Sequence, residues 1–149
     1  MDPAELLVRE AIRDTIARYN HFGDRGRFDD MVDQFQPDGV LELLDFDTRH
    51  VGRDALRTFF SGVANDFAAA DRPRGHLRHC VTNTLIEIDG PDLARADSYF
   101  QVITDAGLDH WGRYRDRLTP NGSRWLLAHR SVRTDGWAPD SPFRPAPPR

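Results

Sequence analysis

The sequence predicts an α+β fold: a cone-shaped α+β barrel in which three N-terminal helices pack on a strongly curved, mainly antiparallel sheet. Two observations predict it. Apolar residues recur at helical spacing as far as Phe67, interrupted only by one short strand-like run. Beyond the polar loop Asp71–Gly75 the chain switches to alternating segments separated by turn signals. Helices first and strands afterwards make a helix layer on one face of a sheet. Such a curved sheet closed by helices leaves a concave apolar interior of the kind that takes small molecules.

Asp2-Pro3-Ala4-Glu5 starts the first helix, with Asp2 as N-cap, Pro3 at the first helical position and Glu5 completing a capping box. Val8, Ile12, Ile16 and Tyr19 carry it to about His21, and Gly23 ends it. Phe28, Met31, Val32 and Phe35 form a second, short amphipathic helix closed by Pro37. Asp38-Gly39 is a turn signal, and Val40–Phe46 reads as a strand. Gly52-Arg53-Asp54 opens a third helix with Leu56, Phe59, Phe60, Val63 and Phe67 on one face. Four strands follow, His79–Ile88, Ala94–Thr104, Asp109–Leu118 and Trp125–Arg133. The short turn segments between them predict consecutive antiparallel hairpins. Residues 1–138 form one domain, and the tail 139–149, with five prolines, is expected to be extended.

Composition narrows the function. With 149 residues, 39% hydrophobic and 30% charged, the chain has the make-up of a globular domain. No apolar run approaches the roughly 20 residues that cross a bilayer. The N-terminus lacks a basic segment followed by an apolar one, so the expected location is the cytoplasm, with no membrane partner. A net charge of −4 argues against a nucleic-acid partner. All 20 basic residues are arginine, which excludes Schiff-base and phosphate-loop lysines. The single Cys80 excludes a disulfide framework, and the histidine spacing does not favour a metal site.

Four places could carry chemistry. By alternation His79 shares a strand face with Val81, Asn83 and Leu85, while Cys80, Thr82, Thr84 and Ile86 share the other. Leu85 and Val81 favour the first face as the interior, and Ile86 and Ile88 the second. Asp24 lies between the first two helices, where it either caps the second helix or orients a histidine and fixes its tautomer. Tyr19 ends the first helix's apolar stripe with a hydroxyl that needs a partner. In 109–116 alternation groups His110, Gly112, Tyr114 and Asp116 against Trp111, Arg113 and Arg115. Of His129 and Arg130 at most one faces inward, and an inward Arg pairs with a carboxylate or an anionic group.

Tyr19…Asp24, Phe35-x-Pro37-Asp38-Gly39, Gly52-Arg53, Arg78-His79-x-x-Thr82-Asn83, Gly112-Arg113-Tyr114-x-Asp116 and Trp125…Arg130 occur in that order. Together they resemble the SnoaL-like branch of the nuclear-transport-factor-2-like superfamily over about residues 4–135. The branch includes cofactor-free lyases such as scytalone dehydratase, bile-acid 7α-dehydratase and hexachlorocyclohexane dehydrochlorinase. The resemblance implies an Asp24–His79 dyad, with Tyr19 and His110 as further catalytic candidates. It also implies an enclosed substrate pocket, with Tyr114, Asn83 and Arg130 as polar contacts and Phe22, Phe28, Leu56, Phe60, Phe100 and Trp111 as walls. The expected activity is a cofactor-independent lyase or isomerase, dehydratase-like, acting on a small, largely apolar cyclic substrate. Polyketide cyclases and the non-catalytic β subunits of ring-hydroxylating dioxygenases share the fold, so a cyclase, a ligand-binding domain or a structural subunit is the alternative. A homodimer or homotrimer is expected, with the arginine face of 109–118 as one contact.

Overall fold

The computed structural model describes residues 2–69 and 75–145, with the backbone alone described at 67–69. Most of the expected loop 71–75, the Phe67 side chain and residues 146–149 of the tail therefore lie outside the described residues.

Helix α1 spans Pro3–Asp24. The Asp2 carboxylate accepts the Glu5 backbone N–H at 2.8 Å, the capping bond its sequence calls for. Ile12, Ile16 and Tyr19 bury one stripe of this helix. The helix runs through Gly23 to Asp24, and Gly26, at φ +69°, turns the chain out of it. Helix α2 is a single turn, Phe28–Val32, burying Met31 and Val32.

Strand β1 covers Phe35–Leu43, so Pro37, Asp38 and Gly39 lie within a strand rather than a turn. The pairing explains how: the register of β1 shifts between Phe35 and Val40, letting a proline and a glycine sit in an irregular stretch. A four-residue strand β2, Thr48–Val51, pairs antiparallel with β1. Helix α3, Arg53–Ala69, follows, with Leu56 and Phe60 buried.

The remaining strands are β3 Leu77–Gly90, β4 Leu93–Thr104, β5 Gly107–Asn121 and β6 Arg124–Trp137. They form the expected chain of antiparallel hairpins. A parallel β1–β6 pair joins the halves and gives the order β2-β1-β6-β5-β4-β3. The sheet curves without closing, leaving β2 and β3 as edges. Its inner face packs on the helices through Ile86, Ala94, Ala96, Leu118, Trp125 and Leu127.

Two irregularities aim the side chains. In β3 the register with β4 shifts between Thr82 and Leu85, and Asn83 takes φ +55°. This bulge puts His79 and Val81 inward before it and Ile86 inward after it. Simple alternation had made those two faces mutually exclusive. Asn83 and Leu85 are exposed, so Asn83, expected at the pocket, is found facing solvent. In β5, Gly112 lies where the β6 register shifts. A Cβ there would collide with the Arg133 carbonyl oxygen and come within 2.8 Å of the Thr134 Cα.

Gly112→Ala is accordingly expected to cost about 2–3 kcal/mol of unfolding free energy in urea titrations. Gly62→Ala in α3, where the added Cβ meets open space, should be neutral or gain up to about 1 kcal/mol. Equal effects of the two substitutions would contradict this reading of the sheet.

Candidate active site

Asp24 is the last residue of α1 and caps nothing: α2 has Arg27 at its N-cap position, without a side-chain cap. Its carboxylate instead grips the start of β3. Oδ1 lies 2.6 Å from Nδ1 of His79, and Oδ2 accepts the His79 backbone N–H at 2.9 Å. Strand β3 is an edge with strand pairing on one side only, which leaves that N–H for a side chain. One carboxylate therefore fixes both the backbone and the ring of His79. A carboxylate acceptor on Nδ1 favours the tautomer with hydrogen there and leaves Nε2 as the basic nitrogen. Among the described residues Nε2 has no hydrogen-bond partner.

The pair opens on a cleft of about 450 Å³ between the C-terminal half of α1 and the start of β3. Asn20, Asp24, Arg25, Arg78, His79 and Val81 contribute to its wall. Asn20 was missed in the sequence, although it stands one turn before Asp24 and so shares its helix face. The expected enclosed apolar pocket is corrected. Leu56 and Phe60 are core residues, with Phe22 and Phe28 packed against the same cluster. Phe28 stacks on Phe60 at 5.9 Å, so these rings fill space rather than line the cleft. Trp111 is also corrected: it is 37% exposed on the outer face, as its alternation with Tyr114 requires.

Beneath the cleft lies a buried polar layer. Arg130 is fully buried, bonded twice to Asp116 at 2.8 and 2.7 Å. Its guanidinium lies between the rings of Tyr19 (4.2 Å) and Tyr114 (4.1 Å), and faces of aromatic rings accept a cation well. Burial works against the charge on Arg130, but Asp116 outweighs it and holds the pKa above its ordinary value. Burial pushes both phenols up as well, with Arg130 opposing, so both stay protonated donors at neutral pH. The Tyr114 hydroxyl donates to Asn20 Oδ1 at 3.4 Å. Tyr19, Tyr114 and Arg130 thus stand behind the cleft wall, reaching it through Asn20. His129 points the other way and meets Glu42 at 3.1 Å.

His110 belongs to a second carboxylate–histidine pair, 2.7 Å from Asp109 Oδ2. Neighbours on a strand normally face apart; here the β4–β5 register shifts between Val102 and Ile103, beside them. The tail comes back over this pair. Ser141 Oγ donates to Asp109 Oδ2 at 2.6 Å, the Ala138 N–H to the Asp109 carbonyl, and the Phe143 ring lies 4.9 Å from that of His110. Residues 138–145 are therefore packed on their own domain, because Asp109 supplies acceptors for them. Phe100 sits edge-on to His110 and stacks on Tyr114. Burial lowers the His110 pKa; Asp109 opposes this and the nearby His79 adds to it. The two histidines are therefore electrostatic neighbours, although His110 is not part of the cleft wall described above.

The model of the SnoaL-like domain matches residues 4–131. The chain belongs to the SnoaL-like family. No curated protein matches the sequence. A variant of Rv3472, a protein of unknown function from Mycobacterium tuberculosis, is 29% identical with a TM-score of 0.73, over 91% of this chain and 77% of that one. A putative scytalone dehydratase from Novosphingobium aromaticivorans gives a TM-score of 0.81 at 20% identity, covering 99% and 97%. The β subunit of a putative aromatic-ring-hydroxylating dioxygenase from the same organism gives 0.73 at 18%, covering 92% and 94%. The last two share the fold. No helix among the described residues is long and apolar enough to cross a membrane.

The lowered pKa of His110 sets a pH dependence. The unfolded chain binds this proton near the ordinary histidine value of ~6.5, the folded protein only at lower pH. His110 therefore contributes no penalty well above pH 6.5 and destabilises as pH falls through that value. Urea unfolding at pH 7.5 and 5.5 should show a smaller loss for His110→Gln than for the unsubstituted protein. An equal or larger loss would contradict it.

Proposed function

We propose that this protein is a cofactor-independent lyase or isomerase whose base is His79, acting on a small cyclic molecule bound in the α1–β3 cleft. One observation carries the reading: the 2.6 Å Asp24–His79 contact at the cleft wall, with Nε2 unpartnered among the described residues. Nε2 takes a proton from carbon beside a carbonyl, and Asp24 steadies the imidazolium that forms. The negative charge moves to the carbonyl oxygen. Asn20 lines the cleft and is the donor proposed to meet it, through the amide N–H that it does not give to the Ile16 carbonyl, while its Oδ1 accepts from the Tyr114 hydroxyl. Tyr114 supports this donor from below, and Tyr19 packs with it on Arg130.

In an elimination, the proton now on His79 can return to a departing hydroxyl on the same face, giving water and a double bond. An acid role for His110 requires an imidazolium that burial disfavours; as a neutral ring donating from Nδ1 to Asp109 it is left with an acceptor at Nε2. The second reading, a non-catalytic ligand-binding domain or oxygenase-type subunit, draws support from the cleft being open.

The test is proton NMR in deuterium oxide with a panel of cyclic β-hydroxyketones and enones. The protein should speed α-proton exchange or elimination for at least one compound. His79→Asn should slow it by about 10²–10⁴-fold, and Asp24→Asn by less. Unimpaired turnover by His79→Asn, or no acceleration of any compound, would favour the second reading.

A further inference from the structure

The outer face of the sheet carries a feature that the cleft does not use. Tyr114 and Asp116 of β5 face inward, so Arg113, Arg115 and Arg117 face outward. Arg113 stands directly opposite Arg133 of β6, and Arg115 directly opposite Ser131. With Leu44 these residues line a concavity of about 80 Å³. Like charges facing each other across two strands repel.

The surrounding carboxylates offset only part of that repulsion. Asp135 bonds Arg113 Nη2 at 3.0 Å. Arg115 and Arg133 have no ion pair among the described residues, although Asp97 lies across from Arg115 in the β4 register. The Nε of Arg113 is buried and has no hydrogen-bond partner among the described residues. Three arginines and a serine thus line one small space.

We propose that this concavity is a binding site for a tetrahedral oxyanion: inorganic phosphate, or the terminal phosphate of a phosphate monoester. Guanidinium forks match the paired oxygens of such an anion, and Ser131 adds a hydroxyl donor. The anion neutralises the Arg113–Arg133 repulsion and gives Arg115 and Arg133 the charge partner that they otherwise lack among the described residues. The space suits a single phosphate group, whereas sites for whole drug-sized molecules run to about 300–1,000 Å³. Because it lies on the opposite side of the sheet from His79, this site is independent of the proposed catalytic reading.

Isothermal titration at fixed ionic strength tests it, with inorganic phosphate, phenyl phosphate and acetate as probes. Saturable phosphate binding is expected, weakened at least tenfold by Arg133→Gln and by Arg115→Gln. Arg49→Gln, which removes an exposed arginine from β2, should leave it unchanged. Phenyl phosphate binding more tightly than phosphate identifies a monoester as the source, and the reverse identifies the free ion. Acetate should bind at least tenfold more weakly than either. The proposal is overturned by unsaturable phosphate binding, by equal loss in Arg49→Gln, or by acetate matching phosphate. It is also overturned if light scattering shows a dimer that Arg133→Gln dissociates while no variant binds phosphate.

Discussion

The carboxylate of Asp24 joins the end of the first helix to the start of the first long strand, 55 residues later in the chain. Its two oxygens take different partners, the backbone N–H and the ring of the same residue. That arrangement leaves His79 little freedom, since its main chain and its imidazole are held by one rigid group. The grip depends in turn on α1 continuing past Gly23 to Asp24, and on β3 being an edge strand with an N–H to spare. The bulge at Asn83 then lets the same strand present His79 to the cleft and Ile86 to the core.

The polar layer behind the cleft follows a similar economy. A fully buried arginine is costly unless its charge and its donors are met. Here Asp116 meets the charge from the neighbouring strand and bonds Nε and Nη2. Nη1 is left without a hydrogen-bond partner among the described residues, and two tyrosine rings pack against the guanidinium. Because Tyr19 comes from α1 and Tyr114 from β5, Arg130 also docks the helix on the sheet. The Tyr114 hydroxyl carries that order forward to Asn20 and hence to the cleft wall.

The N-cap of α1, the hairpins and the grouping of side chains along β5 were legible because each is a local or period-two signal in the residues themselves; which β5 face looks inward was not. Placing Arg130 inside needed one more fact, that Asp116 stands directly across from it in the β5–β6 register. The β1–β6 parallel pair and the four-residue β2 left no comparable trace, since one is non-local and the other too short to show a period. Asn83 was misplaced because a bulge resets alternation without announcing itself in composition. The apolar walls were misassigned for a different reason: Phe28, Leu56 and Phe60 have the same apolar signature whether they line a cavity or fill it. The tail's return to Asp109 depends on hydrogen bonds from distant positions, that of Ser141 across 32 residues, which proline content does not disclose.

Everything proposed for catalysis rests on which ring nitrogen of His79 carries the hydrogen. Long-range proton–nitrogen NMR of the ¹⁵N-histidine-labelled protein at neutral pH reads this directly. The account predicts a hydrogen on Nδ1, bonded to Asp24, and a bare Nε2, with that pattern lost in Asp24→Asn. A hydrogen on Nε2, or a pattern unchanged by Asp24→Asn, would contradict it.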